Sequence, residues 1–210
     1  AVIFYFKEDI FRLFRAWLPW TRDRDEDEFL LGLNLIIATL PIVFVGLLFS
    51  DLISERMHSV DSIAWANLIF AGLLLIAFQA SSQSKNILGI TLGMAIMIGC
   101  LQALAVFPGA SRSGMAITGA LLVGLNLKDS SKFAFLLSIP TILGAIILML
   151  VSEAYVLSMD DLMILLAGFI GSGIIAFLTI GIFLQFVERI GMIPFVVYRI
   201  LLGLILLLVW

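Results

Sequence analysis

Long apolar runs alternate with short polar stretches along most of this chain. A hydrocarbon core about 30 Å thick is crossed by about twenty apolar residues in helical form. Five runs meet that need: Phe29 to Ser50, Ile63 to Ala80, Phe133 to Val151, Leu162 to Val187 and Met192 to Trp210. Each predicts a membrane-spanning helix. Asn86 to Asn126 is different, because its two apolar halves flank Pro108-Gly109, a breaker pair. It predicts either two full spans joined by an outside loop or a re-entrant helix-loop-helix. The second half, Met115 to Leu125, covers about 16 Å at about 1.5 Å per residue, half a bilayer, which favours the re-entrant form. Non-helical backbone at that depth is tolerated only where it is buried in protein or lines a polar cavity.

The placement of Lys and Arg orients these elements. With Lys7, Arg12, Arg15, Arg22 and Arg24 inside, the first span runs out to Asp51, Glu55, Arg56 and Asp61, and the second returns to Lys85. Lys128 and Lys132 then lie inside, the third span exits to Glu153, Asp160 and Asp161, and the fourth returns to Arg189. Besides Arg112, only Arg56 falls outside, with Arg199 counted at the inner end of the last span. This pattern orients the chain without deciding between the two forms of the middle region.

Composition agrees with an all-α polytopic membrane protein. Of 210 residues, 62 % are hydrophobic and 13 % charged, and mean hydropathy is +1.19, more than a soluble core can absorb. Nothing suggests a nucleic-acid partner. The single Cys100 excludes an internal disulfide or thiolate cluster and reads as a packing residue. Asp23 to Glu28 reads as a solvated loop, and His58, the lone histidine, as a loop residue. Gly89-xxx-Gly93 and the glycines at 168, 171 and 173 fit close helix packing. Ala1 to Phe6 is a short apolar stretch followed at once by Lys7, and it reads as the end of a severed membrane helix, with an N-terminal portion missing.

Chemistry concentrates at Pro108-Gly109-Ala110-Ser111-Arg112-Ser113-Gly114. An intramembrane arginine costs about 2.5 to 3.5 kcal/mol on insertion scales, so it needs a reason. Gly109 and Gly114 allow a turn whose N–H groups converge on one anion, and Ser111 and Ser113 add hydroxyl donors. Arg112 adds a planar fork suited to phosphate oxygens, and a helix starting near Gly114 would aim its N-terminus at the same spot. These residues make a phosphate or diphosphate cradle; the alternative is an interfacial turn with a snorkelling arginine. No Asp or Glu occurs between Asp61 and Asp129, so the chain has no general base or metal carboxylate near this cradle.

Ile98 to Gly114, read as IGCLQALAVFPGASRSG, resembles the second signature of the bacterial undecaprenyl-diphosphate phosphatases, the bacitracin-resistance family. Phe135 to Pro140 and Ile193 to Arg199 resemble further family stretches, and the likeness runs across nearly the whole chain. It implies an integral inner-membrane enzyme that removes the terminal phosphate of undecaprenyl diphosphate, recycling the carrier lipid for peptidoglycan synthesis and conferring bacitracin resistance. It also implies two inverted repeats, each with a re-entrant helix pair, and a divalent cation, Mg²⁺ or Ca²⁺. By the same resemblance Arg112 binds the diphosphate, with Ser111 and Ser113 lining the site beside Gly109 and Gly114.

Departures from the family pattern are informative. The family's first signature, glutamate-rich and ending in Pro-x-Ser-Ser-Thr-Gly-His, supplies acidic residues, a serine proposed as nucleophile and a histidine, and it is absent from this sequence. Its expected location is before Ala1. The metal ligands are therefore expected mainly from that segment, and these 210 residues alone are expected to be inactive. Where many members carry threonine, this chain has Ala116, with Thr118 as a partial substitute. Gln102 stands where pseudo-symmetry places a glutamate of the first signature, either as a hydrogen-bonding relic or as a ligand-orienting group. Expectation is thus a single integral membrane domain over residues 1–210, with about five spans and one re-entrant pair. The catalytic candidates are Arg112, Ser111 and Ser113, and Gly109, Gly114, Thr118 and Gln102 join them in binding diphosphate. Expected partners are the polyprenyl diphosphate and the membrane, with a second copy of the chain as a further candidate. The competing function is a transporter or flippase of anionic polyprenyl lipids, since broken helices around an arginine also serve translocation.

Overall fold

The computed structural model describes residues 1–18, 25–56, 59–152 and 159–209, side chains at 49–56, 148–152 and 159–162 excepted. Arg22, Arg24, His58 and Glu153 lie outside the described residues. Among these residues the chain is all-α: α1 Val2–Tyr5, α2 Lys7–Trp17, α3 Glu26–Arg56, α4 Val60–Ala80, α5 Leu92–Ala103, α6 Arg112–Leu122, α7 Leu127–Ser152, α8 Met159–Ile190 and α9 Ile193–Val209. Single 3₁₀ turns precede and follow α5 at Ile87–Gly89 and Leu104–Val106.

Four helices, α3, α4, α7 and α8, carry stretches long and apolar enough to cross a membrane, as four of the five expected spans require. The fifth, α9, has 17 residues, or about 25 Å of helix, slightly short of a 30 Å core. The chain is a multi-pass membrane protein. Its exposed Leu, Ile and Phe side chains on α3, α4 and α8 face outward because lipid, unlike water, does not penalise them.

The middle region is re-entrant. The N–H of Lys85 donates to the Gly124 carbonyl oxygen at 3.0 Å, and the N–H of Asn126 donates to that of Lys85 at 2.9 Å. This isolated bridge ties the entry and exit of the hairpin together. Lys85 Nζ donates to the Val123 carbonyl oxygen at 3.0 Å, and Asp129 Oδ2 accepts from the N–H of Ile87 at 3.1 Å. Two full spans would put these ends on the same side only by crossing twice, with no tip buried in the bundle. Here α6 is buried at every residue from Gly114 to Leu121, enclosed by α4, α5 and α7. Such a helix has no lipid face and no polar stripe.

The tip reaches further than the eleven residues of α6 alone would carry it, because the turn from Phe107 to Ser111, closed by the N–H of Ala110 donating to the Phe107 carbonyl oxygen at 3.0 Å, lies beyond the helix. A Cβ on Gly109 would lie 2.5 Å from the carbonyl oxygen of Ile63, in the first turn of α4. Ile63 stands about 26 Å along α4 from Ala80, beside the hairpin base.

Ion pairs gather at the opposite end. Asp9 Oδ1 meets Arg12 and Lys132 at 2.7 Å each, Arg12 lies 3.7 Å from Glu28, and Lys128 meets Glu188 at 2.6 Å. They join α2, α3, α7 and α8 at the face that the charge pattern places inside. Glu28, read as part of a solvated loop, is instead buried in the first turn of α3, where Arg12 offsets its charge. The apolar start forms α1, which packs on α7 and α8 and seats Phe6 in the core.

Two packing expectations need correction. A Cβ at Gly93, Gly168, Gly171 or Gly173 would meet nothing within 4 Å, and one at Gly89 would meet only the Asn86 side chain at 3.5 Å. Close approach occurs instead at Gly99, 2.5 Å from the Ala38 carbonyl oxygen, and at Gly203, 2.7 Å from Leu68. Cys100, beside Gly99, is exposed rather than packed, because Gly99 is the residue turned toward α3.

Candidate active site

Ser111 sets the start of α6. Its hydroxyl accepts from the N–H of Gly114 at 3.1 Å and lies 3.3 Å from the Ser113 hydroxyl. This cap leaves the N–H groups of Arg112 and Ser113 with no carbonyl partner inside the helix. Gly109 adopts a φ of +93°, a left-handed conformation that side chains resist, and so turns the chain beneath Ile63.

Two cavities meet at this tip. One, about 410 Å³, is lined by Gly109, Ser111, Ser113, Gly114, Arg199 and Tyr198, with apolar walls from α4 and α9. The other, about 530 Å³, is lined by Gln102, Arg112, Ser113 and Ser138, with apolar walls from α7 and α8. Ser113 and Phe183 border both. Arg112 is exposed to its cavity and has no hydrogen-bond or ion-pair partner among the described residues.

Gln102 is 1 % exposed. Its Nε2 donates to the Thr141 hydroxyl at 3.2 Å, which in turn donates to the Leu137 carbonyl oxygen at 2.7 Å. Its Oε1 has no partner among the described residues. A buried amide oxygen without a donor is costly, and this one belongs to a side chain on the cavity that holds Arg112. Thr118 stands apart: its hydroxyl donates to the Gly114 carbonyl oxygen at 2.7 Å, it is fully buried, and it lines neither cavity. Its hydroxyl supports the first turn of α6.

Arg199 was expected near the membrane interface. It is instead buried, with Nε donating to Asn67 Oδ1 at 2.8 Å and Nη2 to the Gly109 carbonyl oxygen at 2.8 Å. Asn67 Nδ2 returns a bond to the Arg199 carbonyl oxygen at 2.8 Å. Asn67 and Arg199 are polar residues deep inside apolar runs, and the cost argument that singled out Arg112 applies to them equally.

Hydroxyls, two amides (Asn67 and Gln102) and two guanidinium groups therefore surround the tip, and among the described residues neither cavity is lined by Asp, Glu or His. That donor set suits the oxygens of a phosphate. It does not fit a divalent cation, and the described residues hold no cluster of three or more His, Cys, Asp or Glu able to bind one.

The family model described as bacitracin resistance protein BacA matches residues 1–205. An undecaprenyl-diphosphatase of Teredinibacter turnerae is 42 % identical over 98 % of this chain and 78 % of its own length. Those of Saccharophagus degradans and Alcanivorax borkumensis are 40 % and 39 % identical over 97 % and 99 % of this chain. A match of that extent, carried through the buried hairpin and its arginine-bearing tip, places this chain in the bacitracin resistance protein BacA family.

Proposed function

We propose that this chain is an undecaprenyl-diphosphate phosphatase, with the hairpin tip as the headgroup site and the apolar cavity walls as the seat of the prenyl chain. Net hydrolysis breaks the P–O bond between the bridging oxygen and the terminal phosphorus. It forms a P–O bond to the oxygen of water, leaving undecaprenyl phosphate and inorganic phosphate. The observation that carries this reading is Arg112, a guanidinium with no partner among the described residues, lining a cavity with Ser113 at the start of a buried helix.

Phosphoryl transfer depends chiefly on positioning and on neutralising charge spread over the phosphoryl oxygens. Arg112, the Ser111 and Ser113 hydroxyls and the first-turn N–H groups supply that neutralisation. Gly109 and Gly114 keep the approach open, since a Cβ on Gly114 would stand 3.2 Å from Arg199 Nη1. Thr118 acts from beneath by holding the Gly114 carbonyl. Among the described residues lining the two cavities there is no Asp, Glu or His to act as general acid or base. Ligands for Mg²⁺ or Ca²⁺ are not provided by the described residues of the tip.

The bacterial inner membrane is the proposed location, with the tip toward the outer face. The ion-paired face of Asp9, Lys128 and Lys132 carries the excess of Lys and Arg, and the tip lies at the other end of α4. Phosphate release from undecaprenyl diphosphate by the full-length protein in detergent is the test. A phosphatase releases it without two compartments, whereas a lipid flippase releases none. Arg112→Ala should abolish release and Arg189→Ala, on the ion-paired face, should not.

A further inference from the structure

We infer that Arg199 is a second anion-binding group, and that the two phosphates of one diphosphate headgroup are divided between the two cavities, on either side of Ser113. This rests on the reading of the tip as a diphosphate site.

Arg199 is only 9 % exposed, and among the described residues it has no carboxylate partner. Its two bonds go to neutral oxygens, those of the Asn67 side chain and the Gly109 backbone. Burying a cation without a counter-charge is strongly unfavourable, and a scaffold needing only a link between α4 and α9 would be served by a neutral pair. Snorkelling does not explain it, because the guanidinium turns inward onto the tip instead of out to an interface. Nη1 makes no bond among the described residues and lies 3.2 Å from where Gly114 would carry a Cβ. That nitrogen can therefore donate into the cavity lined by Ser111 and Ser113.

Arg112 lines the other cavity, with Gln102. A diphosphate is two tetrahedra joined by one oxygen, and each guanidinium can serve one of them. Ser113, on the border of both cavities, then faces the bridging oxygen. One headgroup spanning that border supplies a counter-charge that the described residues of each cavity do not provide.

The test is equilibrium binding of undecaprenyl diphosphate and of undecaprenyl phosphate to the purified protein in detergent. Arg112→Ala and Arg199→Lys should each weaken the diphosphate about tenfold or more, the effect of losing a charge-assisted bidentate contact. Only one of the two should weaken the monophosphate, the other leaving it within about threefold. Asn67→Asp gives Arg199 a protein counter-charge while keeping an acceptor for Nε. It should weaken the diphosphate without loss of thermal stability, which a merely structural Arg199 would not show. Unchanged diphosphate binding in Arg199→Lys and Asn67→Asp overturns the inference, as does equal weakening of the monophosphate by both arginine substitutions. Unchanged diphosphate binding in Arg112→Ala overturns the diphosphate reading of the tip itself, and this inference with it.

Discussion

Arg199 Nη2 donates to the carbonyl oxygen of Gly109 at 2.8 Å, joining the last helix to the tip of the hairpin. The turn is closed locally by the N–H of Ala110 donating to the Phe107 carbonyl oxygen at 3.0 Å, but its backbone lies outside both α5 and α6, so its depth is set by contacts from other elements. The guanidinium occupies one carbonyl and the cap at Ser111 another donor, so the tip is fixed from opposite sides by polar contacts that a dry interior makes strong.

Gly109→Ala should be among the most damaging single-methyl additions in the chain. A left-handed φ costs a side chain about 1 to 2 kcal/mol, and the added carbon would sit 2.5 Å from backbone of α4, which cannot swing aside. A lower thermal midpoint together with at least a tenfold loss of phosphate release is expected. Normal values in both would mean that the tip does not dock on Ile63.

Thr141→Val removes the acceptor for Gln102 Nε2 while keeping the shape of the side chain. Stranding that amide donor should cost about 1 to 3 kcal/mol in stability. Phosphate release should also fall, because Gln102 shares its cavity with Arg112. Thermal unfolding and kcat/KM measured side by side check both parts.

Two of the ion pairs at the end away from the tip, Lys128–Glu188 and Lys132–Asp9, should differ in the order opposite to their lengths. Lys128–Glu188 is shorter, 2.6 Å against 2.7 Å for Lys132–Asp9, yet its side chains are 65 % and 44 % exposed against 26 % and 19 %. Water screens the first pair more. Lys132→Ala should therefore destabilise by about 1 kcal/mol and Lys128→Ala by under about 0.5 kcal/mol, as read from thermal unfolding.

Much of the fold is legible in the residue pattern because a bilayer leaves few choices. Apolar runs of fixed length and a broken middle segment suffice for four of the five spans and the hairpin. Glycine spacing misleads at 168, 171 and 173, because spacing alone does not say which face of α8 meets a neighbour, whereas Gly99 and Gly203 do meet one. At the site, Ser111 to Gly114 stand out since their neighbours in sequence are also neighbours in space. Arg199 and Asn67 do not, being separated by 132 positions, and only the fold brings them to the tip. Thr118 illustrates the converse: it lies near the motif in sequence, but the helical period points its hydroxyl back at Gly114.

Sidedness is open to labelling in intact cells. In a Cys100→Ala background, Ala110→Cys should react with a membrane-impermeant thiol reagent added outside. Ser84→Cys, at the hairpin base, should react only after the membrane is permeabilised. The reverse pattern would place the tip on the inner face and overturn the orientation drawn from Lys and Arg.

The measurement to make first is kcat/KM for phosphate release from undecaprenyl diphosphate by the full-length protein and by its Arg112→Ala variant, with thermal unfolding confirming that both are folded. Removing this guanidinium, which has no partner among the described residues, should lower it by a factor of about 10² to 10³, the scale for losing a preorganised donor to developing charge. A folded Arg112→Ala protein within about threefold of the parent would contradict the placement of the headgroup at the tip of this hairpin.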